Sequence, residues 1–449
     1  MKNLTIRNIL KACGGRYLGD PADLDREVSV VTTDSCKLEA GCLFAALAGE
    51  RVDGHDYIPA ALAGGAACVL AERVPEGAAG SIILVPSTLA ALQDTAAFYR
   101  SQFSLPVIGI TGSVGKTTAK EMVASVLAQR YDVHKTAGNF NNDLGVPLTL
   151  FGLREEHGAA VVEMGVSHFG DMARLARMVR PDYALFTAIG YAHLEYLGSR
   201  EGVLREKTVV LDYLPETGAA FCNGDDDLLA ALACSCAKRT FGLGPDCAVR
   251  AEKLRALENG GTACEIVAGD RRFPVSIPAY GEHMVYAALE GAAVGLELGL
   301  SPEEIARGIA AYEPVGHRAR VLRTERLTVI DDCYNANPSS TASAIRSLSR
   351  LDGRKVCILG DMLELGEDSA RLHRETGKLA ADWGISLVLT CGEQAERISQ
   401  GAAGISRHFA SKEELLDALP GTIRAGDCVL VKASRSMKFE EITERLMKL

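Results

Sequence analysis

Short apolar runs rich in valine and isoleucine alternate along this chain with longer stretches whose apolar residues recur every three or four positions, a rhythm that predicts strands and helices in turn. In the first hundred residues the apolar segments 42–47 and 67–71 lie on either side of a turn-rich stretch, Gly49-Glu50-Arg51-Val52-Asp53-Gly54. They read as a small α/β unit whose loops face a ligand or another domain. The pattern changes near 101–106. Residues 107–110 form a β-branched run that ends in a Gly/Ser/Thr cluster. From Lys116 onward Met122, Val123, Val126 and Leu127 fall at helical spacing until Tyr131-Asp132 breaks it. Further strands are expected at 159–162, 183–188 and 219–222, and a helix over 200–214. The intervals leave room for crossover helices, so a mainly parallel sheet is the economical arrangement.

A second alternation begins after Tyr312-Glu313-Pro314. Strands are expected at 327–330, 355–359, 386–389 and 428–431, with helices such as 369–383 and 412–419 between them, which describes a doubly wound sheet. The whole reads as an α/β chain of three domains, 1–100, 101–313 and 314–449, joined by short linkers and without internal repeats.

Composition narrows the function. With 48 basic against 58 acidic residues the formal charge is −10, so there is no basic excess to neutralise a nucleic-acid backbone, and any polyphosphate must be held locally. No apolar run suits a signal peptide or a bilayer span, and the expected compartment is the cytoplasm, without membrane insertion. Thirteen cysteines without a framework fit reduced thiols better than disulfides. The close pair Cys234 and Cys236, with no histidine nearby, reads as packing rather than zinc ligation.

The strongest chemical signal is Thr111-Gly112-Ser113-Val114-Gly115-Lys116-Thr117-Thr118 between an expected strand and an expected helix. Glycines let the backbone N–H groups and the helix N-terminus face an anion, Lys116 adds a charge near the β/γ-phosphates, and Thr117 offers a hydroxyl to Mg²⁺. This is the shorter TGxxGKT form, since Ile110 stands where the longer motif has glycine. Glu163 closes an apolar run, the strand-end position from which a carboxylate reaches a metal in P-loop folds. His193, in Ala192-His193-Leu194-Glu195, and Lys207, on the expected helix 200–214, follow the next strand. The amide-rich loop carrying Asn139, Asn141 and Asn142 suits turn formation as well as contact with substrate carboxylates or phosphates. In the third domain Asp331-Asp332-Cys333-Tyr334-Asn335-Ala336-Asn337 follows a strand, where acid and amide groups suit ribose or base recognition. Arg318 stands just past the linker, where it suits either contact with a phosphate across a cleft or the place of an exposed surface arginine.

Taken together, TGSVGKTT at 111–118, GNFNNDLGVPLTL at 138–150, Glu163-Met164-Gly165, AHLEYLGSREG with Lys207, DDCYNANPSS at 331–340 and LGDMLELG at 359–366 resemble the Mur ligase family over nearly the whole chain. The segment 34–58 resembles that family's UDP-binding first domain, and GNFNN with YNANP resembles the branch that joins D-alanyl-D-alanine to UDP-N-acetylmuramoyl-tripeptide. The resemblance implies a UDP-sugar-binding first domain, a central ATPase and a C-terminal Rossmann-like domain that closes over the nucleotide. It implies an acyl-phosphate mechanism powered by ATP, and a monomer. By matching positions it places Asp34, Ser35, Asn139, Asn141, Asn142 and Asn337 at the amide-forming substrates, and Asp332 and Asn335 with the 111–118 loop at ATP. Thr117 and Glu163 would hold one Mg²⁺, His193 and a carbamylated Lys207 would serve a second, and Lys116 and Arg318 would offset charge on the transferring phosphoryl group.

Three departures stand out. Cys36 replaces the arginine of the family's Asp-Ser-Arg, leaving Lys37 as the nearby cation, and Met284 and Ala287 stand where two asparagines usually contact adenosine. A P-loop switch protein would share the loop at 111–118 but would need no second metal site, and Glu163, His193 and Lys207 argue against it.

Overall fold

The computed structural model describes residues 1–49, 52–257, 261–279 and 281–449, and three sheets organise it. In the first, strands Val31–Thr32, Leu43–Ala45, Cys68–Ala71 and Ile82–Leu84 run parallel, and Arg16–Leu18 is added antiparallel at one edge. Of the turn expected at 49–54, Glu50 and Arg51 lie outside the described residues. Gly49 N–H donates to the Val52 carbonyl at 3.0 Å across them.

Helix Thr88–Arg100 fastens this unit to the centre of the molecule. The Tyr99 hydroxyl donates to the Leu153 carbonyl at 2.9 Å, and the buried Arg100 guanidinium donates to the carbonyls of Val179 and Phe103 at 3.0 and 2.8 Å. Main-chain acceptors hold a buried arginine without demanding a buried partner charge.

Seven strands of the central sheet are parallel, in the order Val133–Lys135, Ala159–Glu163, Val107–Thr111, Tyr183–Phe186, Ala219–Asn223, Ala237–Gly242 and Val249–Ala256. Val107–Thr111, Ala159–Glu163 and Ala219–Asn223 are buried along their whole length and Tyr183–Phe186 in all but its first residue, as a sheet covered on both faces requires. The expectation of a mainly parallel sheet holds for this part. It omitted an antiparallel extension, Thr262–Ala268 and Arg271–Ile277, on the far side. The expected helix at 200–214 is also shorter than anticipated. It is α-helical over Arg200–Thr208 and tightens to a 3₁₀ turn over Val209–Tyr213, which ends before Pro215.

The third sheet runs Ser406–Phe409, Leu387–Cys391, Lys355–Leu359, Cys428–Lys432 and Thr328–Asp331, all parallel, with Arg320–Arg323 antiparallel at the edge. Helices Pro338–Ser349 and Ser369–Asp382 cover one part and Lys412–Thr422 another, the doubly wound arrangement expected from the sequence. All thirteen cysteines are free thiols, most of them buried.

Candidate active site

Strand Val107–Thr111 delivers the glycine loop to the C-terminal edge of the central sheet, and helix Lys116–Leu127 leaves from it. The tight path depends on two glycines. Gly115 caps the helix at φ +83°, and Gly112 sits at φ +151° beside Thr187, whose hydroxyl occupies the space a β-carbon would need. Thr111 is fully buried beneath the loop. Lys116 folds back to donate to the Gly112 carbonyl at 2.8 Å, and burial holds its ammonium below the ordinary lysine range, with Glu163 opposing that shift and Arg318 adding to it.

Glu163, the last residue of its strand, is 1% exposed and accepts on both oxygens: from the Thr117 hydroxyl at 2.9 Å and from Asn141 Nδ2 at 2.7 Å. Three of the expected site residues therefore form one oxygen-rich cluster. Asn139 and Asn142 line the same cavity. Asn142 Oδ1 also accepts the N–H groups of Leu144 and Gly145, so it works as a turn residue while lining the cavity.

His193 takes a left-handed backbone, φ +56°, at the start of the short helix Leu194–Leu197. Its Nδ1 stands 2.6 Å from Oε2 of Glu364, which comes from the C-terminal domain, and the imidazole holds that carboxyl below its usual range. Lys207 is 1% exposed, and its Nζ is buried with no hydrogen-bond partner. The neighbouring Glu206 carboxylate is engaged by the N–H groups of Gly170 and Met172, at 2.9 and 2.7 Å. Burial, and secondarily repulsion from Lys116, pushes the Lys207 amine well below the ordinary lysine range.

The C-terminal domain closes over this apparatus. Asn337 caps helix Pro338–Ser349 and sends Nδ2 to the Ser113 carbonyl at 3.3 Å, and Ser339 Oγ accepts the Tyr191 N–H at 3.4 Å. Asp332 is paired with Lys432 Nζ at 2.5 Å, and the same ammonium donates to the Asn335 carbonyl at 3.0 Å. The Arg318 guanidinium stacks 3.9 Å from the ring centre of Tyr334.

The result is a cavity of about 380 Å³ between the two domains. Residues from Ser113 to Thr118, the three asparagines, Glu163 and His193 enter it from one side, and Arg318, Asp332, Asn335 and Asn337 from the other. Asp34 and Ser35 do not reach it. Asp34 caps an exposed 3₁₀ turn, accepts the Cys36 N–H at 2.9 Å, and stands 3.6 Å from Lys37 Nζ, the cation left nearby by the substitution at Cys36. Met284 and Ala287 are buried in the helix Glu282–Glu297 and do not line the cavity, whereas His283 does.

Four residues at the site were not singled out from the sequence: Glu364, Tyr334, Lys432 and His283. Lys432 ends a strand adjacent to Thr328–Asp331, so the rule that ligands bind at the carboxyl ends of parallel strands would have found it. Glu364 depends on domain closure, which leaves no local signal.

Sequence and structure comparisons agree with this arrangement. Residues 27–100 match the model for the Mur ligase family, catalytic domain, residues 110–295 that for the Mur ligase middle domain, and residues 317–435 that for the Mur ligase, glutamate ligase domain. A UDP-N-acetylmuramoyl-tripeptide–D-alanyl-D-alanine ligase of Bacillus subtilis (strain 168) is 38% identical, covering 99% of this chain and 98% of its own. A crystal structure of MurF from Acinetobacter baumannii superposes with a TM-score of 0.91 at 31% identity over 99% of both chains. MurF ligase from Thermotoga maritima in complex with ADP does so with a TM-score of 0.85 at 30% identity, over 93% of this chain and 97% of that one.

Proposed function

The chain belongs to the Mur ligase family, and from that premise we propose that it is the ATP-dependent, ADP-forming ligase that joins D-alanyl-D-alanine to UDP-N-acetylmuramoyl-tripeptide, giving the pentapeptide precursor of peptidoglycan. The observation that carries this reading is the convergence on one cavity of the phosphate loop, Glu163 and His193 with Arg318, Asp332 and Asn335 of the facing domain. We divide the chain at 1–100, 101–313 and 314–449 and read the protein as a monomer acting in the cytoplasm, where ATP and a nucleotide-linked substrate are both available.

The loop N–H groups and the N-terminus of helix Lys116–Leu127 receive the phosphates, and Lys116 exchanges its bond to the Gly112 carbonyl for a phosphate oxygen. Asp332 and Asn335 lie where ribose or base would be met. The donor set suits hard cations in part. Thr117 and Glu163, 2.9 Å apart, offer the oxygens that one Mg²⁺ would need, and His193 with a modified Lys207 would hold a second. As an ammonium, Lys207 does not fit a cation. Its low proton affinity supplies the neutral amine, which attacks CO₂, loses its proton to solvent and becomes a carbamate whose oxygens do fit. When bound, Mg²⁺ offsets charge on the transferring phosphoryl group.

The tripeptide carboxylate attacks the γ-phosphorus, ADP departs, and an acyl-phosphate forms, with Lys116 and Arg318 countering the charge of the transition state. The neutral amine of D-alanyl-D-alanine then attacks the acyl carbon, phosphate leaves, and the nitrogen gives up a proton as the amide forms. The interdomain bonds of Asn337 and Ser339 tie the two domains together across the cavity, the contacts from which closure over the substrates keeps water from the acyl-phosphate.

The test is phosphate release from Mg-ATP by purified protein with each amide-forming substrate alone and with both. Release that needs both, with pentapeptide product, is expected, and release independent of either would overturn the reading. The carbamate is tested separately by loss of activity on CO₂ stripping and its return with bicarbonate.

A further inference from the structure

Behind the C-terminal wall of the cavity, three side chains with different donor atoms meet. His317 Nδ1 stands 2.6 Å from Asp331 Oδ2, the Cys333 thiol donates to Asp331 Oδ1 at 3.0 Å, and the three donor atoms lie within 4.8 Å of one another. Asp331 and Cys333 are each 1% exposed, and half-exposed His317 is the side open to solvent. The Thr443 hydroxyl donates to Asp331 Oδ1 at 3.4 Å, orienting the carboxylate from behind.

An independent observation comes from the helix Glu440–Leu446. Glu440 Oε1 pairs with Arg435 at 3.2 Å, but its Oε2 is buried with no hydrogen-bond partner. One carboxylate, one thiol and one imidazole thus converge, with a second carboxylate oxygen, Glu440 Oε2, buried beyond them without a donor. Imidazole nitrogen, thiolate sulfur and carboxylate oxygen form the mixed set that borderline-soft divalent ions take, unlike the all-oxygen set of Mg²⁺.

We propose that His317, Asp331 and Cys333 form a three-residue site, its remaining position open to solvent on the His317 side, for a divalent transition-metal ion of the zinc class, separate from the Mg²⁺ sites of phosphoryl transfer. The ion replaces the thiol proton, which leaves to solvent, and His317 ligates through Nδ1 while keeping its proton on Nε2, so no redox change occurs. Its effect follows from chain position. Each of the three core ligands immediately precedes a cavity-lining residue, His317 before Arg318, Asp331 before Asp332 and Cys333 before Tyr334. Tyr334 N–H already donates to the His317 carbonyl at 3.1 Å, so a bound ion strengthens an existing tie between the interdomain segment and the C-terminal sheet.

The experiment titrates Co²⁺ into the full-length protein with Mg²⁺ and ADP in excess and follows the thiolate-to-cobalt charge-transfer band, then displaces it with Zn²⁺. One equivalent is expected, with binding weakened more than about a hundredfold in Cys333→Ser and in His317→Ala. Unchanged ADP binding in both variants would show that they fold. Zn²⁺ should also raise the melting temperature of the wild type and leave that of Cys333→Ser where it was. Absence of the band, or a band that survives Cys333→Ser and so belongs to another thiol, would overturn the proposal.

Discussion

Replacing Glu163 by glutamine separates the structural from the chemical work of that side chain. The carboxylate is 1% exposed and accepts from Thr117 Oγ1 at 2.9 Å and Asn141 Nδ2 at 2.7 Å. Glutamine keeps the shape and one acceptor oxygen. Its amide nitrogen would face the second partner, where the Thr117 hydroxyl can rotate from donating to accepting. The fold therefore exchanges two charge-assisted hydrogen bonds for neutral ones, a loss of about 1–2 kcal/mol in all. That corresponds to a fall of roughly 2–8 °C in the melting temperature of a domain of this size. Turnover should suffer far more. The variant lacks the strand-end negative charge that the proposed metal needs, and removing one preorganised electrostatic contact to a transferring group costs about 3–4 kcal/mol, or roughly 10²–10³ in rate. ADP binding, held by the loop N–H groups, should persist. Stopped-time phosphate release with all substrates, beside a thermal melt and an ADP titration, measures the three quantities. Turnover within about tenfold of wild type at saturating Mg²⁺ would refute the assignment of Glu163 to the metal.

Other perturbations test other links. Glu290 is 4% exposed, and burial holds its carboxyl well above the ordinary 4.5, so the folded chain keeps a proton that the unfolded chain releases. The stability this confers is complete below pH 4.5 and is lost as pH rises toward the folded-state pKa, at about 1.4 kcal/mol per pH unit. Glu290→Gln should remove that slope, and parallel urea midpoints for the two proteins between about pH 5 and 7 would count against it. Gly112→Ala forces a β-carbon toward Thr187 at φ +151° and should cost about 1–3 kcal/mol together with nucleotide affinity, checked by melt and ADP titration. Asn337→Ala removes a helix cap worth about 1 kcal/mol and the bond to Ser113. Its KM for ATP should rise while Asn337→Asp, which still caps the helix but cannot donate to the carbonyl, recovers stability without recovering KM.

How much of this was legible beforehand depended on how far apart the cooperating residues lie. The glycine loop announces itself because strand, turn and helix are consecutive and each glycine meets a local need, as at Gly112 and Gly115. The innermost strands were equally plain, since a sheet buried on both faces selects an unbroken apolar run. The extension at 262–277 was not. Arg271–Ile277 alternates exposed and buried residues and contains Pro274, a composition that argues against an interior strand and is tolerated only because this strand is the edge of the sheet. Arg320–Arg323, also an edge, hides for a similar reason, as its end residues are exposed arginines. Residue types at the site could be read where a strand ends, as with Glu163 and Asp332, because parallel strands of one sheet send their carboxyl ends to one side. Pairings could not. His193 meets Glu364, and Asn337 meets Ser113, only after two domains have docked, so neither residue carries its partner in its neighbours. Lys207 is the sharpest case: the resemblance marks its position, but the property that makes an amine reactive there is the absence of any partner for a buried Nζ, and an absence belongs to the packed interior rather than to the stretch of chain around it.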